Sequence, residues 1–274
     1  MPLFENGFKG NILTGLAIGI GANSAIFSVT NALLLRPLPY KDAERIAILW
    51  NRSPGLNIER DWFSLGQYLD VKLENQVFEQ VAATIDVSYN LTGQGHPERL
   101  EGAKVSASLF SLLGAQAVHG RVFLPEEDEK GKPLTVILSH AFWQRRFGGD
   151  PNIVGRKLQL DGENVTVIGV MPPEFAYPVS AARPTDLWMP YVVPATERVR
   201  NPRSFSFYLQ SIARLKPGVT LAEAQAQMEQ IALALEAEHP EWNKDRRIGV
   251  RPLRDHLVGT STRSWMLMLL GAVG

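Results

Sequence analysis

Residues 11–35, between Lys9 and Arg36, carry no charged side chain and read NILTGLAIGIGANSAIFSVTNALLL. A helix of that length rises far enough to cross the roughly 30 Å hydrocarbon core of a bilayer. The stretch therefore predicts a transmembrane helix. A second uncharged run, residues 264–274 (SWMLMLLGAVG), closes the sequence and is too short to span. Between them lies a long polar region of mixed composition. The layout predicts a first membrane helix, an extramembrane domain and the start of a second helix. A cleaved signal peptide fits less well: its apolar core runs roughly 7–15 residues, and the exit LLLRPLPY offers no small-x-small cleavage site. A buried helix of a soluble protein is the other alternative.

The apolar stretch has two unlike sides. Gly15, Gly19 and Asn23 stand four apart, and Asn23, Ser24, Ser28 and Asn31 fall within an arc of about 140°. Ile18, Ala22, Ala25 and Val29 lie opposite. Small residues let helix backbones approach, and Asn or Ser can hydrogen-bond across them. Gly15, Gly19, Asn23, Ser24, Ser28 and Asn31 are thus the expected helix-packing face. Pro37 and Pro39 end the helix. The glycines do not form a phosphate loop, because no Lys-Ser or Lys-Thr follows them. Charge does not orient the helix, with Lys9 on one flank and Arg36, Lys41 and Arg45 on the other.

Lys and Arg total 28 and so do Asp and Glu, which leaves no net field to attract nucleic acid. The absence of cysteine rules out thiolate catalysis, disulfides and Cys-based zinc sites.

The middle region reads as alternating strands and helices, an α+β order. Residues 45–50 (RIAILW) predict a strand, and 64–75 a helix capped by Ser64 with Leu65, Tyr68, Leu69 and Leu73 as its apolar face. Strands are expected at 78–89 and 99–105, then a short helix over 106–113 stopped by Gly114. Residues 120–132 read as a polar loop. Thr135 begins a strand, and Ser139 caps a helix (HAFWQRRF) that Gly148 and Gly149 end. A hairpin follows over 155–170, turning at Asp161-Gly162. The five prolines from Pro172 to Pro190 predict loop. A strand at 208–215 and the turn Lys216-Pro217-Gly218 lead to a long helix ending near His239, with Thr220 and Glu223 at capping-box spacing. Its apolar face is Leu221, Ala224, Met228, Ile231 and Leu235, and residues 248–253 are a last strand.

Chemistry-bearing patterns are scarce. His96, His119, His140, His239 and His256 have no metal-ligand spacing. Ser139 beside His140 reads as a cap rather than a nucleophile, and no Gly-x-Ser-x-Gly elbow exists. The acidic run Glu126, Glu127, Asp128 and Glu129 lacks the alternation of a calcium loop and reads as a solvated loop. Arg145 and Arg146 suit a helix C-terminal dipole better than an anion site. Trp62, Trp143, Trp188 and Trp242 read as core or interface residues. No catalytic, cofactor or metal site is expected.

Several blocks resemble one family. GIGANSAIFSVTNALLLRPLPY is similar to the first transmembrane helix and exit of MacB-like ABC-transporter permeases, in their duplicated, acidobacterial-type branch. LTGQGHPERLEGAKVSASLFSLLGAQAVHGRVFLPEED, VILSHAFWQRRFGGDPNIVGRKLQLDGENVTVIGVMPP and ARLKPGVTLAEAQAQM resemble that family's periplasmic core domain, and RSWMLMLLGAVG the start of its second helix.

The resemblance implies a fold: a transmembrane helix over 1–39, then a core domain over 40–260 with a porter-like βαβ part and a β-rich second part. Subdomain joints fall near 120–134 and 200–210, and 261–274 begins a second helix cut short. It also implies an inner-membrane protein with the core domain on the periplasmic side and a non-catalytic role in export or mechanotransmission. The implied partners are the remaining permease helices, a separate cytoplasmic ATPase, membrane lipid and a second copy in a dimer, with no nucleic acid and no cofactor. Two departures stand beside it: the lead before the first helix is short, and the sequence stops at Gly274, inside the expected second helix; no Walker A sequence is present. The competing reading is a membrane-anchored periplasmic binding protein or enzyme, which would need a deep pocket with converging polar groups.

Overall fold

The computed structural model describes residues 38–93, 95–178, 184–193 and 207–258. The apolar stretch at 11–35, its packing face (Gly15, Gly19, Asn23, Ser24, Ser28, Asn31) and the run at 264–274 lie outside the described residues. Among those described, no helix is long and apolar enough to cross a membrane. Pro39–Leu253 form one compact unit.

The chain runs through β1 (Ile46–Ser53), β2 (Ile58–Asp61), β3 (Phe63–Ser64), α1 (Leu65–Glu74), β4 (Phe78–Thr92), β5 (Glu98–Val105) and α2 (Ser108–Leu113). It continues through β6 (His119–Gly120), β7 (Thr135–Leu138), α3 (His140–Phe147), β8 (Lys157–Leu160), β9 (Glu163–Val170) and β10 (Leu187–Pro190). It ends with β11 (Phe207–Leu215), α4 (Leu221–Glu238), α5 (Pro240–Asn243), β12 (Arg247–Pro252) and α6 (Leu253–Val258). The architecture is α+β.

Local chemistry starts and stops these elements. Ser64 Oγ accepts from the Gln67 amide at 3.2 Å while Gln67 Oε1 accepts from the Ser64 amide, a reciprocal box at the head of α1. Thr220 and Glu223 do the same for α4. Gly114 ends α2 at φ 68°, and a Cβ there would meet Lys41 Cβ at 2.5 Å, so glycine is needed twice over. Asp161 and Gly162, both at positive φ, turn the hairpin between β8 and β9.

Two cores share one continuous sheet. In the first lobe the strand order is β12-β1-β11-β4, with antiparallel neighbours throughout. The crossovers β1–α1–β4 and β11–α4–β12 interleave, which is the split βαβ pattern of ferredoxin-like folds. Ala47, Leu49, Val81, Leu209, Ala213, Ile248 and Val250 of the sheet bury one face against Tyr68 and Val71 of α1 and Met228 and Leu235 of α4. The helix α4 packs as its periodicity predicts. The apolar face of α1 does not. Leu73 is 80% exposed, while Gln67 and Val71 are buried beside Leu65 and Tyr68, so the helix is turned by about one residue, ~100°. The cause is polar. Gln67 and Asn51 exchange amide hydrogen bonds at 2.7 and 3.0 Å inside the lobe, and that pair draws Gln67 inward.

The second lobe lies between β4 and β11 in sequence. Its strands run β4-β5-β10-β7-β9, and β8 pairs with both β9 and β4, closing a ring. Alternate residues point inward: Tyr89 and Leu91, Val136 and Leu138, Leu158 and Leu160, Val165 and Val167, Leu187 and Met189, with Phe142 and Trp143 from α3. The proline-rich stretch predicted as loop contains β10, which pairs parallel with β5 and antiparallel with β7. Pro190 is tolerated because it is the strand's last residue. Trp188 points away from the ring onto Phe110 and Phe175.

Candidate functional site

The residues singled out for chemistry resolve into structure. Ser139 Oγ accepts from the Phe142 amide at 3.2 Å as the cap of α3. His140 turns edge-on to Trp143, which His119 also meets. Trp143 and Trp188 are buried, Trp62 is 42% exposed, and the side chain of Trp242 lies outside the described set. Among the described residues no cluster of three His, Asp or Glu could hold a metal.

Two sequence readings need correction. The acidic run is not simply a solvated loop. Glu127 is 7% exposed and accepts from Arg121 at 2.6 Å, from the Leu124 amide at 2.7 Å and from Thr135 Oγ1 at 2.9 Å. Burial opposes its charge, but these donors outweigh burial and hold its carboxyl below the ordinary carboxylate range. Asp128 accepts from the Ala107 amide and ties the turn to the head of α2. Arg145 does more than complement a helix end. It pairs with Glu98 at 2.9 Å and Asp186 at 3.1 Å, joining α3 to the start of β5 and the approach to β10. Arg146 reaches the His96 carbonyl.

Cavities among the described residues of the unit include two of note. One, of about 480 Å³, is lined by α1 residues including Tyr68 and Leu73, with Asp128 and Tyr191. The other, of about 320 Å³, includes Ser139, His140 and Trp188. Asp86, whose carboxyl is pushed up by burial and then by Glu101, lines neither.

The most elaborate polar construction lies where the chain enters the unit. Arg214, 5% exposed on β11, donates to the carbonyls of Leu112 at 2.7 Å, Lys41 at 2.6 Å and Asp42 at 3.4 Å. The Lys41 amide donates to the Leu113 carbonyl at 3.2 Å. Arg45 donates twice to the Leu215 carbonyl and pairs with Glu79. Tyr40, buried, donates its hydroxyl to the Ala176 carbonyl and sets its ring against Phe175. The entry segment is thereby bolted to the ferredoxin-like lobe through Arg214 and Arg45, and to the loop after β9 through Tyr40. The chain leaves beside its entry, because Ala47 of β1 pairs with Pro252 of β12. Sequence reasoning singled out neither Arg214 nor Tyr40 as functional. The available signal was an arginine within the apolar run SIARL.

Residues 12–231 match the family model described as MacB-like periplasmic core domain. A comparison with curated proteins finds no match. Three solved structures share the fold. A permease-protein domain from Porphyromonas gingivalis aligns with a TM-score of 0.59 at 16% identity, covering 78% of this chain and 92% of that one. The periplasmic region of MacB from Actinobacillus actinomycetemcomitans aligns at 0.54 and 14%, covering 82% and 94%. The extracellular domain of the noncanonic ABC-type transporter YknZ from Gram-positive bacteria aligns at 0.52 and 14%, covering 74% and 99%.

Proposed function

The chain belongs to the family of MacB-like periplasmic core domains, the periplasmic domains of ABC-type transporter permeases, and from that premise we propose that its unit Pro39–Leu253 is a non-catalytic, mechanically driven extracytoplasmic element of an exporter. Residues 11–35 are its first membrane helix, with Gly15, Gly19, Asn23, Ser24, Ser28 and Asn31 facing the other helices of the permease. The chain sits in the inner membrane with the unit on the periplasmic side. A separate cytoplasmic ATPase supplies the work, and a second copy completes a dimer.

The observation that carries this reading is the pairing of Ala47 with Pro252, together with the bolted entry segment. A domain held between two membrane helices must receive and return the chain on one side, and adjacent antiparallel strands do that. A helix movement can act on a whole domain only if the connection is stiff. What supports this is that Arg214, Arg45 and Tyr40 fix the segment 40–45 to the body of the unit.

Location is tested by single cysteines, since the chain has none of its own. Lys130→Cys, on an exposed turn, should react with a membrane-impermeant maleimide in cells whose outer membrane alone is permeabilised; labelling only after full lysis would place the domain inside. The mechanical role is tested in the assembled transporter. Arg214→Met with Tyr40→Ala should leave ATP hydrolysis running while export falls, and unchanged export would refute coupling through this segment.

A further inference from the structure

On the first lobe, one sheet face carries α1 and α4. Along β1 the opposite face presents Ile46, Ile48, Trp50 and Arg52 in turn. Trp50 is shielded by arginines. The guanidinium of Arg60 lies over its indole at 5.2 Å and that of Arg251 at 5.3 Å, and the residue is 6% exposed. Arg52 stands directly across from Arg247 in the β1–β12 ladder. Like charges so placed repel. Arg247 is neutralised by Glu229 and Glu236, each at 2.9 Å, whereas Arg52 and Arg251 form no ion pair among the described residues. Trp50 Nε1 and Arg52 Nε are buried donors without an acceptor.

We propose that Trp50, Arg52, Arg60 and Arg251 form a docking site for a carboxylate-rich segment of a partner protein. Every polar group contributed is a donor, and the side chains of Arg52 and Arg251 have no ion-pair partner among the described residues. The missing complement is therefore an anionic oxygen acceptor. An indole face attracts a guanidinium but leaves its N–H fork able to grip a carboxylate through two oxygens. The arginines line neither of these two cavities, and Arg60 and Arg251 are exposed, which suits side chains of an extended acidic segment better than one enclosed small anion. Trp50 also lies four residues along β1 from Ile46, ~13 Å from the strand's entry end.

The test uses the full chain in detergent micelles and a fluorescent glutamate-rich peptide at low ionic strength. Binding should weaken with salt and fall by about tenfold in Arg52→Gln and again in Arg251→Gln, each about 1.4 kcal/mol. Lys130→Gln, on the other lobe, should bind as the parent does. The indole N–H resonance of Trp50, assigned by its loss in Trp50→Phe, should move on peptide addition. Both arginine variants should keep the parent's thermal midpoint, which separates lost binding from lost fold. Equal peptide binding by parent and variants overturns the proposal. So does a Trp50 resonance that moves with inorganic phosphate but not with peptide. Arginine-dependent binding to phosphatidylglycerol vesicles without peptide binding would assign the patch to lipid and overturn it as well.

Discussion

Arg214 is a buried charged side chain near the end of β11, and its environment both needs it and penalises it. Burial, then the neighbouring charge of Arg45, lowers its pKa below the ordinary arginine value, against the pull of Asp42. It remains because the carbonyls of Leu112, Lys41 and Asp42 converge on its fork. Arg214→Met should therefore cost about 3 kcal/mol in chemical denaturation, since removing the donor leaves buried acceptors unmet. Arg214→Lys should recover only part of that loss, because one ammonium cannot span the same fan. Glu127 makes the complementary case. Its folded pKa is depressed, so its contribution is present above the unfolded value of ~4.3 and disappears as pH falls through the folded value. Glu127→Gln should lower stability by about 1–3 kcal/mol at neutral pH. Melts repeated at successively lower pH should show parent and variant converging below the ordinary carboxylate range; a gap that persists in acid would mean the loss is steric rather than ionic.

At the scale of elements, the edge strand β12 shows how side chains finish a sheet. Gln225 on α4 donates Nε2–H to the Ile248 carbonyl at 2.8 Å and accepts from the Val250 amide at 2.9 Å, standing in for a neighbouring strand's peptide group. Gln225→Ala should free that edge. The expected outcome is concentration-dependent self-association in light scattering, while a monodisperse variant would show the edge is protected by other means. Such a role could not be read from spacing, since Gln225 is one of several polar residues off the apolar face of its helix. What was legible is what depends on near neighbours: the caps at Ser64 and Ser139, the box at Thr220, the stop at Gly114 and the turn at Asp161-Gly162. What was not legible depends on distant partners. The rotation of α1 follows from Asn51, sixteen residues before Gln67. The strand β10 needs β5 and β7 on either side to exist. The same holds for the entry bolts, because Arg214 finds its carbonyls more than a hundred residues away.

For the whole molecule the decisive element is β4. It pairs with β11 over one end and with β5 over the other, and Thr84 faces Gln210 on one side and Val105 on the other. Its residues Val81 and Ala83 belong to the first core and Tyr89 and Leu91 to the second. Neither core can be dissolved without stripping hydrogen bonds from the strand that supports the other. Tyr40 and Arg214 add a second link, since one entry segment touches both lobes. The unit Pro39–Leu253 is accordingly expected to unfold as one cooperative body. Phe142, fully buried in the ring, and Met228, fully buried under α4, lie in different cores. Phe142→Ala and Met228→Ala should each remove about 2–5 kcal/mol. In a calorimetric scan both should displace the same single transition, with no shoulder left at the parent's midpoint. If either variant splits the transition in two, the lobes fold independently. A mechanical input at the entry would then be absorbed between them instead of being carried through β4.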